Sequence, residues 1–409
     1  MGTQLASWLD EHWDPGLTVR EWWGRLACAG LSLPQLPECA GGRGWSREQV
    51  VARDDLFARR NVVAPPTGLG VLMGAPVVAG AGTSEQVGRL VPPLAAGVEV
   101  WCQLFSEPGA GSDLAGVSTR AERDGDEWVV TGQKVWTSGA DVADRGMLIA
   151  RTDWDVPKHR GLTYFVIPMD QPGVEVRPLR QMNGEAHFSE VFLDGARVRD
   201  ADRIGDVGGG WSVALATLAY ERAGLSDERH AGVNVPAGER NGLLDRTCAH
   251  VLAHVAERPA GSPDDPASAA ALMALAERCG RASDPVVRQR LAAVWSLEAI
   301  AEWTRGRVQA EVSAGREAGP GAATGKLAWT TRLALVRDLC LELLGPAGML
   351  DGPNAPDGGR MQRLALSIPS ASIAGGSDEI QRNIIGERVL GLPKDVAVDR
   401  DVPFREVRR

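Results

Sequence analysis

Apolar residues recur at three- and four-residue steps through the first hundred positions, as in residues 5–13 and 19–29. That is the spacing of helices with one buried stripe. Thr83-Ser84-Glu85-Gln86 has the form of a capping box, Thr83 accepting from the backbone of Gln86 and Gln86 reaching back. A helix is predicted from there to about Pro92-Pro93. From about 101 to 205 the period shortens: 101–105, 127–131, 147–151, 163–167 and 191–193 read as strands between turn residues. Asp124-Gly125 reads as a tight hairpin turn between 119–123 and 128–130. No helix-length pattern alternates with these runs, so an antiparallel barrel or sandwich is expected rather than a doubly wound sheet. Beyond about 206 the long period returns, at 211–222, 243–256, 267–279, 286–314 and 324–344, with loops at 261–266 and 314–320. The expected fold is therefore α+β: an N-terminal helical domain (1–100), a middle antiparallel β-barrel or sandwich (101–205) and a C-terminal helical bundle (206–395). Residues 396–409 are expected to form a loose polar tail.

Composition narrows the function classes. Apolar residues make up 44%, enough for a sizeable core. The net charge of −9, from 44 basic and 53 acidic residues, argues against nucleic acid as the main partner, while leaving room for a local phosphate pocket. Lysines occur only at 134, 158, 326 and 394, in a chain otherwise rich in Arg. No apolar run reaches membrane-spanning length and the N-terminus lacks a basic, then apolar, leader, so a cytoplasmic protein is expected. The six cysteines form no CxxC pair and read as reduced, mostly buried thiols. His250 and His254 could share a helix face, but with no third ligand nearby no metal site is expected.

Three segments carry candidate chemistry. In 105–113, Phe-Ser-Glu-Pro-Gly-Ala-Gly-Ser-Asp, a strand runs into a glycine-rich turn whose free N–H groups could cradle an anion, although an ordinary β-turn would look similar. In 134–139, Trp136 stands beside Thr137 and Ser138 at a strand end, where an indole can pack on a flat heterocycle and hydroxyls can bind its edge; the plainer reading is a core Trp. In 373–383, Ser377 reads as an N-cap with Asp378 and Glu379 in the first helical turn, and the preceding Gly375-Gly376 pair exposes backbone N–H groups.

In this order and spacing the segments resemble the acyl-CoA dehydrogenase family over nearly the whole chain. The match covers the 83–94 helix, the EPGAGSD turn, the TGxKxW-hydroxyl-x-G strand and the EIQRNIIGERVLGLP ending. The resemblance implies FAD as cofactor, an acyl-CoA or carrier-protein thioester as substrate, an electron-transfer flavoprotein as reoxidant, and a dimer or tetramer in lipid metabolism. Gln103, Phe105, Ser106, Gly111 and Ser112 would line the flavin and its phosphates, and Trp136, Thr137 and Ser138 the ring. Ser377, Asp378 and Glu379 would sit beside FAD, and Ser112, Arg222 and Gly376 would touch the substrate.

Removing the α proton of a thioester needs a carboxylate base and stabilisation of the enolate. Many members carry the base at the position held here by Gly375, which has no side chain but could still offer its N–H to the thioester oxygen. A second group of members places a glutamate before an Arg on the helix after the β domain, which here is Glu221-Arg222. Glu221 is therefore the expected base; Glu379 and Glu190 are rivals, the first explained by capping and the second by solvation on a strand. At the FAD-adenine end Arg281 is kept, but Asp284, Glu342 and Pro346 stand where the family has an aromatic, a Gln and a Gly. A carboxylate repels phosphate and Pro346 has no N–H, so a hetero-oligomer in which a paralogue completes the flavin site enters beside the homo-oligomer. The alternative activities are a flavin oxidase or monooxygenase on the same fold, and a non-catalytic subunit. Segment 226–280 is longer and more polar than in the simplest members.

Overall fold

A computed structural model of the chain describes residues 2–225, 236–257, 265–313, 321–394, 399 and 401–407. Its internal contacts divide it into two compact units. One comprises Met1–Arg180, Ala186–Arg258 and Ala397–Arg409; the other comprises Gln181–Glu185 and Pro259–Val396.

The first unit opens with helices α1 (Gly2–His12), α2 (Val19–Cys28), α3 (Arg47–Arg59), α4 (Ala75–Ala81, entered through a π-turn at Gly70–Gly74) and α5 (Ser84–Ala95). The capping box at the start of α5 forms, with the Gln86 N–H donating to Thr83 Oγ1 at 3.2 Å and the Thr83 N–H to Gln86 Oε1 at 2.8 Å. The helix runs past Pro92 and Pro93, which were expected to end it. Both prolines lie in its last turn, so little helix remains to be disrupted, and their carbonyls accept the closing bonds from Ala96 and Val98. Trp22 and Trp23 are fully buried, with their indole N–H groups satisfied by the Val63 and Ala64 carbonyls. Residues 236–257 return to this helical layer. Ala237, Leu244, Cys248 and Val251 join the core around Trp22 and Phe57. Helix α7 (Cys248–Glu257) starts later than predicted because the backbone of Leu244 and Arg246 is engaged by the N–H groups of Arg20 and Val19.

The middle of the chain forms strands β1 (Trp101–Leu104), β2 (Arg120–Asp124), β3 (Glu127–Ser138), β4 (Arg145–Arg151), β5 (Leu162–Pro168), β6 (Val174–Leu179), β7 (Phe188–Arg199) and β8 (Arg203–Ile204). They make one sheet in the order β6-β7-β3-β2-β4-β5-β8, with β1 also on β4. Pairing is antiparallel as expected, except for β1 on β4 and the single β2–β4 bridge. The predicted hairpin turn at Asp124-Gly125 is present, Gly125 taking φ 67°. Strands β3 and β7 are longer than their apolar runs because bulges let them continue past polar positions, and β6 carries no clear alternation to announce it. Helix α6 (Gly210–Leu225) follows and buries Val213, Ala214 and Thr217. It starts hard against β5: a Cβ on Gly210 would fall 2.5 Å from the Thr163 carbonyl carbon, so only glycine permits this approach.

The chain end is not loose where it is described. The Phe404 N–H donates to the Val156 carbonyl at 3.0 Å, the Arg405 N–H to Trp154 at 3.1 Å, and the Phe404 ring is buried. The polar composition concealed a single apolar anchor.

The second unit holds α8 (Ala269–Arg278), α9 (Pro285–Ser313), α10 (Gly321–Leu344), α11 (Arg360–Ala371) and α12 (Asp378–Ile384) around a core that includes Leu272, Leu291, Val336, Leu339 and Ile368. The predicted loop at 314–320 lies outside the described residues. No described helix is long and apolar enough to cross a membrane.

Candidate active site

The 105–113 turn is braced from beneath by a buried ion pair. Lys134 on β3 is fully buried, and its ammonium donates to the Phe105 carbonyl (2.9 Å), the Ile149 carbonyl (2.9 Å) and Glu107 Oε1 (2.8 Å). Glu107 also accepts from the Thr119 N–H, the Ser118 N–H and the Ser118 hydroxyl. Burial by itself would raise the Glu107 carboxyl; the Lys134 charge and these hydrogen bonds outweigh it and hold the group at about 2. Burial pulls the Lys134 ammonium below its ordinary range, opposed by Glu107. We take the carboxylate as charged, because four donors converge on it. Reciprocal bonds between Glu107 and Ala110 close the turn, and Gly111 and Ser112 stand exposed beyond it. Their N–H groups find no acceptor among the described residues. Cβ atoms built on Gly109 or Gly111 would meet nothing within 4 Å, so the concave side is open for a bulky anion. The Phe105 ring does not face this opening: it is buried edge-on to Tyr164, with centroids 6.0 Å apart.

Beside the turn, β3 carries an extra residue. Lys134 pairs with Val191 and Thr137 with Ser189, so Val135 and Trp136 together oppose Glu190, and Trp136 takes φ 63°. A left-handed conformation costs a β-carbon residue about 1–2 kcal/mol. Here it turns the indole outward, 56% exposed, with its ring edge-on to Phe188 at 5.8 Å. The neighbouring Thr137 is buried with its hydroxyl lacking any partner among the described residues, while Ser138 is exposed. An outward aromatic beside an orphaned buried hydroxyl suits a flat heterocycle with a polar edge, so the residues present fit a flavin.

Glu221 arrives from α6. It stands four residues after Thr217 and eight after Val213, on the stripe that faces the sheet. Gln103 on β1 donates from Nε2 to Glu221 Oε2 at 3.3 Å. A carboxylate is thus delivered to the strand that leads into the 105–113 turn. The Arg222 side chain lies outside the described residues. The rival Glu190 is half-buried rather than solvated and accepts from Gln133 at 3.0 Å across the strands.

In the second unit, Gly375 and Gly376 take φ 64° and 88°. A Cβ at Gly375 would meet nothing within 4 Å, so backbone conformation rather than space favours glycine there. The segment is held by side chains from two helices. Lys326 donates to the Ala371 carbonyl (2.5 Å) and Gln381 to the Gly375 and Gly376 carbonyls (3.2 and 3.3 Å). Ser377 caps α12, Asp378 accepts from Thr330 at 2.8 Å, and Glu379 is exposed near Arg382. At the predicted FAD-adenine end, Arg281 donates to Asp284 (2.6 Å) and Glu342 (3.4 Å), and Glu342 is also engaged by Arg290.

The residue-by-residue reading missed Glu107, Lys134, Lys158 and Lys326 as supports. Their signal was compositional. In a chain that uses Arg almost everywhere, three of the four lysines, Lys134, Lys158 and Lys326, each place a compact ammonium on two or more oxygen acceptors. Among the described residues no group of three His, Cys, Asp or Glu side chains could hold a metal ion. All six cysteines are free; Cys28 and Cys39 are exposed, fewer being buried than expected.

A β-sheet domain that follows one set of helices along the chain and precedes another, with an exposed glycine-rich turn and an outward Trp at a bulge, defines an α+β fold. Residues 102–196 match the acyl-CoA dehydrogenase middle domain and residues 267–390 the acyl-CoA dehydrogenase C-terminal domain. The chain is 39% identical to acyl-CoA dehydrogenase IpdE1 of Mycobacterium tuberculosis, over 92% of this chain and 88% of that protein. To IpdE1 of Mycolicibacterium smegmatis it is 37% identical, over 92% and 89%. Among solved structures it resembles the Tcur3481-Tcur3483 steroid ACAD, with TM-score 0.68 and 25% identity over 96% of this chain and 97% of that one. The ChsE4-ChsE5 complex from Mycobacterium tuberculosis gives TM-score 0.63 and 26% identity over 96% and 97%. The chain belongs to the acyl-CoA dehydrogenase family.

Proposed function

We propose that this enzyme is an FAD-dependent dehydrogenase that removes the α proton and the β hydrogen of an acyl thioester, with Glu221 as the base. The observation that carries the reading is the Glu221 carboxylate, brought by the buried stripe of α6 to Gln103 at the foot of the 105–113 turn. FAD, when bound, supplies the hydride acceptor. The chain's own residues do the rest. Gly111 and Ser112 offer N–H groups to the diphosphate, Ser106 shapes the approach, Trp136 packs on the ring, and the Thr137 and Ser138 hydroxyls bind its edge. By the resemblance, Ser377, Asp378 and Glu379 are further candidates for cofactor contact. By the resemblance, Ser112 and Arg222, and separately Gly376, are the candidates for substrate contact. As the α C–H bond breaks, the proton passes to a Glu221 oxygen; by the resemblance, the Gly375 N–H is the candidate donor to the thioester oxygen, where a fixed dipole would meet the developing charge.

For the acyl group we infer a ring-bearing chain of the steroid class. The support is the likeness to a steroid ACAD over nearly the full length, together with a base carried on α6 and no side chain at Gly375. An electron-transfer flavoprotein would reoxidise the enzyme. The test is anaerobic titration with a panel of acyl-CoAs, watching the visible flavin band. Bleaching by ring-bearing thioesters in preference to straight chains is expected; bleaching by straight chains alone would overturn the substrate class. Glu221→Gln should lower kcat by about 10²–10⁴-fold with the flavin still bound; full activity would remove Glu221 as base.

A hetero-oligomeric arrangement is favoured by the Arg281 cluster. Asp284 and Glu342 already occupy the guanidinium expected at the adenine end, which leaves that end to a partner chain. Trp295 and Trp303, 62% and 70% exposed on α9, offer apolar surface for such a partner. Purification alone and with a co-expressed paralogue, followed by flavin content and light scattering, tests this. Full flavin occupancy in a homo-oligomer would reject it.

A further inference from the structure

The described C-terminal residues sit at one edge of the candidate flavin site, within the first unit. Two lines of contact run from them to the turn. In the first, the buried Phe404 ring lies over the Arg151 guanidinium, 3.4 Å from its carbon to the ring centroid, with Trp154 at 5.4 Å from the same ring. Arg151 is itself fully buried on β4. It donates to the carbonyls of Ala115 (2.7 Å), Val117 (3.1 Å) and Lys158 (3.1 Å). Ala115 and Val117 follow directly on the 105–113 turn. In the second line, Lys158 donates to Asp113, the last residue of the turn, at 2.9 Å and to Asp399 at 2.8 Å. The Pro157–Pro403 bridge and an Arg405–Asp155 ion pair keep the two strips in register.

We propose that residue 399 and residues 401–407 form a latch that holds the turn in its cofactor-binding shape, with Phe404 and Asp399 as positioning residues. The latch deepens the FAD reading above and rests on it. Its physical basis is the state of Arg151. A guanidinium spread over three carbonyls competes well against water only while water is kept out, and the Phe404 ring closes its open face. With Phe404 gone, Arg151 hydrates, residues 115–117 lose their tether, and the turn must be ordered at the expense of cofactor affinity. Lys134 and Glu107 grip the upstream end of the turn and Lys158 the downstream end; only the downstream grip depends on the chain terminus.

The test uses the full chain. FAD affinity is measured by flavin fluorescence, and amide hydrogen exchange is followed over residues 109–117 without cofactor, for wild type, Phe404→Ala, Asp399→Asn and a remote core control, Leu9→Ala. Phe404→Ala is expected to weaken FAD binding about tenfold and to speed exchange across 109–117; Asp399→Asn should do the same by about threefold. Leu9→Ala should lower the melting temperature without moving either readout. The latch is overturned if Phe404→Ala speeds exchange at 151–158 while 109–117 and FAD affinity stay at wild-type values. Should Phe404→Ala fail to fold, unchanged exchange and affinity in Asp399→Asn would overturn it equally. If wild type itself binds no FAD, faster exchange at 109–117 in the variants still upholds the latch, and it is the cofactor reading that fails.

Discussion

Two candidate loops, one in each unit, are each braced by a lysine, and they are braced differently. In the first unit Lys134 is fully buried and meets a buried carboxylate as well as two carbonyls. In the second, Lys326 is half-buried and its ammonium donates to the carbonyls of Ala371 and, at 3.5 Å, Gly376. Burial pulls Lys326 below its ordinary range, with the Asp378 charge opposing. A buried ion pair is geometrically exacting and fails badly when half of it is removed, whereas an ammonium on neutral carbonyls can be traded for water. The 105–113 turn is therefore built as a fixed cradle, and the 371–378 segment as a softer one whose shape comes mainly from glycine and a helix cap.

That contrast can be broken in several ways. The largest effect should come from Lys134→Met, which strands the Glu107 carboxylate and should cost about 3–5 kcal/mol in denaturant unfolding. The double change with Glu107→Leu should recover a good part of it, and a loss below about 1 kcal/mol in the single variant would show that the pair is not the brace. Next comes acid. Glu107 is depressed from 4.5 to about 2, so its contribution is present above 4.5 and is lost as pH falls toward about 2. Wild type should lose about 3 kcal/mol more across that window than the double variant, measured by melting temperature against pH. Lys326→Met should cost about 1.5 kcal/mol, the worth of hydrogen bonds from one charged donor. The smallest effect is expected for Gly375→Ala. No atom obstructs the new methyl, so only the left-handed backbone penalises it, by about 1 kcal/mol. Its turnover should fall far less than that of Glu221→Gln; an equal fall would return catalysis to position 375.

Much of the local structure was legible as sequence, and the reason lies in range. The Thr83 and Ser377 caps, the hairpin at Gly125 and the turn at 107–110 depend on residues a few positions apart. Glu221 is picked out by the resemblance, through the Glu221-Arg222 pair, and the structure puts it on the same helix stripe as the buried Val213 and Thr217. The resemblance puts Phe105 at the flavin, and the structure seats its ring edge-on to Tyr164; the direction a strand-end side chain takes depends on what packs behind it.

By itself, then, the sequence determined the order of helices, strands and helices, the glycine-rich turn, the caps and the absence of a side chain at 375, all of which follow from local backbone chemistry and periodicity. Only the tertiary structure decided that Lys134 would grip Glu107 from 27 positions away, that Gln103 would meet Glu221 across 118, and that the polar chain end would seat Phe404 on Arg151. Pairings at such separations carry no local signature, because their favourable energy appears only once the sheet has brought both partners out of water together.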